Sequence, residues 1–249
     1  MSSTASTPPS SGDSQSTAIF GYGSLIFKPP PYDLESEAGY IKGFKRRFAQ
    51  NSHDHRGTPD NPGRGRTYRV RSCVGSVTWR LDPSIENEAA ETFYLLEPGR
   101  IYRIPPSQAT EIWAYLDYRE KDGYTQRQVV VYGIDAQGKE IVIEHNVSRL
   151  RRPIRSSLSI GAAYDRDPLM TQQCRVYVGE SDNPSFAGGT PMRELAQKIA
   201  TAHGPSGPNK EYLYLMTRAV RELGPDAKDE YLQQLEGLVQ EFDPEWTNR

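Results

Sequence analysis

The chain has 249 residues, a hydrophobic fraction of 36% and a formal net charge of -2. That length and composition fit a globular protein with one substantial core or two small ones, and exclude a disordered chain. The near-neutral charge provides no strong field for nucleic acid or a membrane surface, and no apolar run approaches the length a bilayer requires.

The opening stretch "MSSTASTPPSSGDSQST" lacks the basic start and apolar run of a secretory signal and the arginines of a transit peptide. Residues 1–17 therefore read as a flexible tail. "AIFGYGSLIF" (18–27) begins as a buried strand, then breaks into a glycine turn with no lysine to meet a phosphate. From Lys42 to Arg71 the chain carries nine Lys or Arg and two Asp, with Phe44, Phe48 and Tyr68 interleaved. That composition admits a nucleic-acid surface. The mildly acidic whole and the lack of a base-stacking motif oppose it, so no nucleic-acid partner is expected.

Strands are expected at 18–21, 67–70, 74–81, 101–104, 127–134, 140–145 and 174–179, where Val, Ile, Tyr and Thr lie between turn residues. Insertions are expected near 82–100, opening with the acidic "DPSIENEAAE", and at 147–173. Three helices close the chain. "TPMRELAQKIATAHG" takes Thr190 as N-cap, Pro191 in the first turn and Gly204 as stop. "NKEYLYLMTRAVRELGP" places Tyr212, Leu215, Met216, Ala219 and Leu223 on one stripe. "KDEYLQQLEGLVQEF" does the same with Tyr231, Leu235, Leu238 and Phe242. Strands early and helices late predict an α+β fold, with helices packed over a mostly antiparallel sheet or barrel. Cys73 and Cys174 are far apart and read as reduced thiols. The four histidines and two cysteines form no ligand-spaced cluster, so no metal is expected and "SHDHRG" reads as a polar loop.

One helix carries more information. In "PPSQATEIWAYLDYREKDGY" (105–124), with Ser107 as N-cap and Gly123 as stop, Ala109, Ile112, Trp113 and Leu116 recur at helical spacing. The next position on that stripe is Glu120, while Arg119, Lys121 and Asp122 fan outward. Burial and the negative end of the helix both oppose ionisation there, which suits a carboxylate that takes and returns protons near neutrality. The same position also fits a structural ion pair with an arginine of 42–48 or 64–71, or a solvated helix end.

"FGYGSLIF", "GYIKGFKRRFAQNSHDHRGTPDNPGR", "YLDYREKDGY", "YVGESDNPSFAG" and "NKEYLYLMTRAV" occur in this order. Together they resemble the ChaC-type, glutathione-specific γ-glutamylcyclotransferases over most of 18–235. The resemblance implies a small, mostly antiparallel β-barrel flanked by helices, with 18–249 as a single domain carrying insertions, and a cytoplasmic enzyme that needs no cofactor. It matches the γ-glutamyl-binding loop to Tyr22, Gly23, Ser24 and Leu25, and the catalytic glutamate to Glu120. Three features depart from the family pattern: "GRT" (65–67) replaces an apolar pair, the strand after Trp79 is followed by the acidic insertion, and 147–173 has no counterpart in shorter members.

On that resemblance, the loop holds a carboxylate and an amide, with backbone N–H groups as an anion nest. Tyr22, Tyr124 and Tyr177 are candidate pocket tyrosines, and each also fits a core aromatic with a satisfied hydroxyl. Arg46, Arg47, Arg56 and Arg64 are candidates to grip the glycine carboxylate of glutathione, with Gln50 and Ser52 as neutral partners. Ser24 as a nucleophile is disfavoured, since no histidine lies near it in sequence and G-x-S-x-G is absent. The expected reaction is attack of the α-amine on the γ-amide carbonyl by a monomer, giving 5-oxoproline and Cys-Gly. The alternatives are other γ-glutamyl amino acids or amines as substrates, or a non-catalytic binding module on the same scaffold.

Overall fold

The computed structural model describes residues 18–42, 44–70, 96–120, 124–143, 173–179, 182–225 and 227–243. The expected tail, the strand at 74–81, Cys73, Gly123 and nearly all of both insertions lie outside the described residues.

The main sheet has seven strands. β1 (Ala18–Gly21) lies in its interior, antiparallel to β5 (Leu96–Arg103) and parallel to β9 (Gln173–Val178). β2 (Ser36–Lys42) pairs with β5, and β6 (Thr125–Val130) with β9. β7 (Tyr132–Ile134) and β8 (Glu140–Val142) extend the β2 side, giving the order β6-β9-β1-β5-β2-β7-β8. The sheet curls into a half-barrel and is open in its pairing at β6 and β8 among the described residues. After residue 43 the chain continues from β2 into β3 (Phe44–Ser52), which forms a ribbon with β4 (Gly63–Val70), bulged between Arg47 and Gln50.

All four residues of β1 are buried, which is why the strand reads as an uninterrupted apolar run. Its period of two separates two cores. Ala18 and Phe20, then Tyr22, join Ile41, Ile101, Val131 and Val176. Ile19 faces the other way, toward Tyr102, Ile104, Tyr177 and the helix that carries Ile112, Trp113 and Leu116. A third core lies among helices: α1 (Ser24–Phe27), α3 (Met192–Thr201), α4 (Asn209–Glu222) and α5 (Glu230–Glu241), with Phe48 of β3.

Several expectations are corrected. Residues 96–100, assigned to an insertion, form the first part of β5. The segment 127–134 divides at Val131, whose carbonyl accepts the N–H of Ile143. Thr190 does not cap α3, which starts at Met192 after Pro191 and ends before Gly204. The helix around Trp113, α2 (Ala109–Arg119), follows a 3-10 turn at Pro106–Gln108 that contains Ser107, so Ser107 is not its cap. On α4 the most buried stripe is Leu213, Met216, Thr217 and Val220; Tyr212 and Leu215 lie at its margin.

The "RGTPDNPGR" loop is fastened to the start of α4. Asn209 accepts the Arg64 N–H through Oδ1 (2.7 Å) and donates to the Arg64 carbonyl through Nδ2 (3.0 Å). A Cβ at Gly57 would lie 1.9 Å from the Gly63 nitrogen, so only glycine permits this approach.

Candidate active site

α2 delivers the expected stripe: Ile112, Trp113 and Leu116 are buried. Glu120 follows as the C-terminal cap, its N–H donating to the Leu116 carbonyl at 2.9 Å. Its side chain is 15% exposed, and Arg119 Nε lies 3.7 Å from Glu120 Oε1. The solvated alternative is therefore excluded, and Arg119, outside both arginine groups considered from sequence, is an ion-pair partner. The guanidinium beside Glu120 offsets the carboxylate's charge across that gap.

Arg119 also joins this carboxylate to the glycine turn. Its Nη2 donates to Ser24 Oγ at 3.0 Å. Its Nη1 is buried with no hydrogen-bond partner among the described residues. The sequence reading sends Arg119 to the flank of the helix; the structure places it between the two halves of the site. Its position beside Glu120 in "YREK" was the available signal.

The turn is held at several points. Tyr22 is 2% exposed, and its hydroxyl donates to the Tyr177 carbonyl at 2.8 Å. The Tyr22 carbonyl accepts Arg46 Nε at 3.1 Å. Gly23 precedes the single turn of α1, and its carbonyl accepts the Ile26 N–H at 2.7 Å. Leu25 offers its carbonyl to the hydroxyl of Tyr102. A Cβ at Gly21 would sit 2.6 Å from Leu25 Cβ, so this glycine admits a neighbouring side chain of the protein.

Tyr177 stands in the same wall. Its hydroxyl donates to Asp117 Oδ1, and Gln126 Nε2 reaches both that oxygen (2.7 Å) and the Tyr177 hydroxyl (3.2 Å). Burial, then the hydrogen bond to Asp117 and the charges of Asp117 and Glu120, push the phenol far above its ordinary range. It therefore stays protonated at any working pH. Tyr124 packs half-buried against the same core.

The expected arginines are each engaged by other groups of the protein. Arg46 is fully buried: Nη1 is paired with Asp229 and lies 3.7 Å from Glu97, and Nη2 donates to the Pro98 carbonyl at 2.6 Å. It supports the turn from behind and has no face for an arriving carboxylate. Arg47 stacks 4.5 Å from the Tyr231 ring. Arg56 holds Glu211 (2.8 Å) and the Pro208 carbonyl (3.0 Å). Arg64 holds Asn51 (2.7 Å) and Thr190 (3.3 Å). Gln50 is buried opposite Gly65 and bridges to Phe186, and Ser52 Oγ accepts the Arg56 N–H at 3.0 Å. Among the described residues no group of three His, Cys, Asp or Glu is placed to hold a metal, and no helix is long and apolar enough to cross a membrane.

A curled half-barrel with flanking helices and a glycine turn leaving one of its inner strands defines the γ-glutamylcyclotransferase fold. A crystal structure of a γ-glutamyl cyclotransferase specific to glutathione from yeast superimposes with a TM-score of 0.66 at 32% identity, covering 92% of this chain and 97% of that one. The family model described as ChaC-like protein matches residues 17–242, and the chain belongs to that family. The glutathione-specific γ-glutamylcyclotransferase of Saccharomyces cerevisiae is 35% identical over 215 residues, 85% of this chain and 88% of that protein. The protein of the same name from Schizosaccharomyces pombe is 34% identical, over 89% and 91%.

Proposed function

We propose that this chain is a glutathione-specific γ-glutamylcyclotransferase, a lyase that converts glutathione to 5-oxoproline and Cys-Gly. The observation that carries the reading is Glu120, half-buried at the end of α2 and joined through Arg119 to Ser24 of the glycine turn. The family and the names of its relatives set the substrate.

In this reading Tyr22, Gly23, Ser24 and Leu25 seat the γ-glutamyl group, and Tyr124 and Tyr177 wall the site. Glu120 takes a proton from the α-ammonium. The freed lone pair attacks the γ-carbonyl carbon, and the π pair moves onto oxygen. Glu120 then protonates the amide nitrogen as its bond to carbon breaks with the electron pair. The regenerated carboxylate removes the extra proton from the ring nitrogen and passes it to the departing amine. Charge is conserved throughout, no water is consumed and no covalent enzyme intermediate forms. Nucleophile and electrophile share one molecule, so much of the acceleration comes from holding a near-attack geometry. The same economy requires no cofactor. We place the enzyme in the cytoplasm as a monomer.

Mass detection of 5-oxoproline and Cys-Gly from the purified protein tests the proposal. Glu120→Gln is expected to fold normally and lose about 10²- to 10⁴-fold in kcat. Wild-type turnover by that variant defeats the mechanism. Product from a γ-glutamyl dipeptide but none from glutathione defeats the substrate assignment.

A further inference from the structure

We infer that Arg119 is a second catalytic residue, donating from Nη1 to the γ-carbonyl oxygen as it becomes an oxyanion. The inference rests on the function proposed above. The geometry limits what this guanidinium has left to give. Nη2 is engaged by Ser24 Oγ at 3.0 Å, Nε lies 3.7 Å from Glu120 Oε1, and Nη1 is buried with no partner among the described residues. A buried donor without a partner carries a desolvation cost that an arriving acceptor relieves. One remaining nitrogen suits a single carbonyl oxygen better than a carboxylate, which would take two parallel N–H bonds. Arg119 spans the base on one side and the turn on the other.

The charges change in the right order. At rest Arg119 and Glu120 offset one another. When Glu120 accepts the ammonium proton it becomes neutral, and Arg119 loses its counter-ion. The attack that follows places negative charge on the γ-oxygen at that moment. The guanidinium is thus compensated in the ground state by Glu120 and in the transition state by the oxyanion. Such an interaction strengthens along the reaction coordinate and acts on kcat more than on binding. When Glu120 gives its proton to the leaving amine, the oxyanion collapses to the lactam carbonyl and the original pair is restored. A lone Ser24 hydroxyl offers no comparable charge, and holding Arg119 by Nη2 is the role its geometry shows.

Two measurements test this. Arg119→Gln and Arg119→Lys are assayed for kcat with glutathione, and glutathione affinity is measured calorimetrically on Glu120→Gln with and without Arg119→Gln. We expect kcat to fall about 10²- to 10³-fold in Arg119→Gln, the usual effect of deleting an oxyanion donor, with affinity changed by less than about threefold, within the range of uniform binding. Lysine keeps the charge but cannot span Ser24, Glu120 and the substrate together, so Arg119→Lys is also expected to lose at least about tenfold. It decides the matter if the glutamine variant fails to fold. Undiminished kcat in either folded variant, or a loss carried wholly by weaker binding, overturns the inference. Wild-type protein that forms no 5-oxoproline refutes the proposed function instead, and the two failures are told apart by that control.

Discussion

At the scale of single residues, buried charge divides into a working pair and a supporting group of three. Arg119 and Glu120 are adjacent in sequence. Arg46 finds its carboxylates 51 and 183 residues away, at Glu97 and Asp229. Two carboxylates share one fully buried guanidinium, so one of them is poorly compensated. Burial, with the charge of Asp229 added, outweighs the attraction of Arg46 and pushes Glu97 up to about 7. The native state then binds a proton at Glu97 more tightly than the unfolded chain does. Between the ordinary carboxylate value of 4.5 and about 7, the stability that Glu97 contributes falls as pH rises. Urea unfolding across that window is expected to show the decline in the wild type and a flatter profile in Glu97→Gln. Parallel profiles would mean that Glu97 does not hold the proton.

This also explains what could be read in advance. Glu120 is legible because the apolar period of α2 points at it, and periodicity is local. Arg46 reads as a ligand-gripping arginine because an arginine's burial depends on distant counter-charges that no local pattern records. The same blindness hides β3. Its inward residues include Arg46 and Gln50, 0% and 1% exposed, so the strand lacks the alternation of apolar and polar side chains that identifies one.

At the scale of elements, α5 shows how one side chain serves two structures. Asp229 caps the helix by accepting the Leu232 N–H at 3.0 Å, and it also pairs with Arg46. The two roles separate by substitution. An asparagine in place of Asp229 would still cap, since asparagine is among the best N-caps, but would carry no charge. Asp229→Asn is expected to destabilise less than Asp229→Ala by about 1 kcal/mol, the usual value of a cap. Removing this charge also relieves its repulsion on Glu97, so Asp229→Asn is expected to weaken the decline in stability between pH 4.5 and about 7. Chemical denaturation of both variants at two pH values checks the order and the slope together. β1, by contrast, is legible almost to the residue, because it is buried on both faces and needs no distant partner to look like a strand.

At the scale of the whole molecule, the turn after β1 is where the three cores meet. Tyr22 belongs to the core inside the curled sheet, Leu25 to the core under α2, and Ile26 to the core among the helices. Arg46 adds a polar link from the Tyr22 carbonyl to the first turn of α5 through Asp229. A ligand seated on this turn therefore braces sheet and helices at once, and unfolding of either layer must first release it. Glu120→Gln permits the measurement, since it is expected to bind glutathione without consuming it. At a concentration of 100 times its Kd, a ligand specific for the native state adds about 2.7 kcal/mol of stability, which for a domain of this size corresponds to roughly 5 to 11 °C in Tm. Amides of the turn and of the first turn of α5 should gain hydrogen-exchange protection together. A thermal shift with protection confined to another part of the sheet would place the ligand elsewhere, and would separate the glycine turn from the chemistry assigned to it.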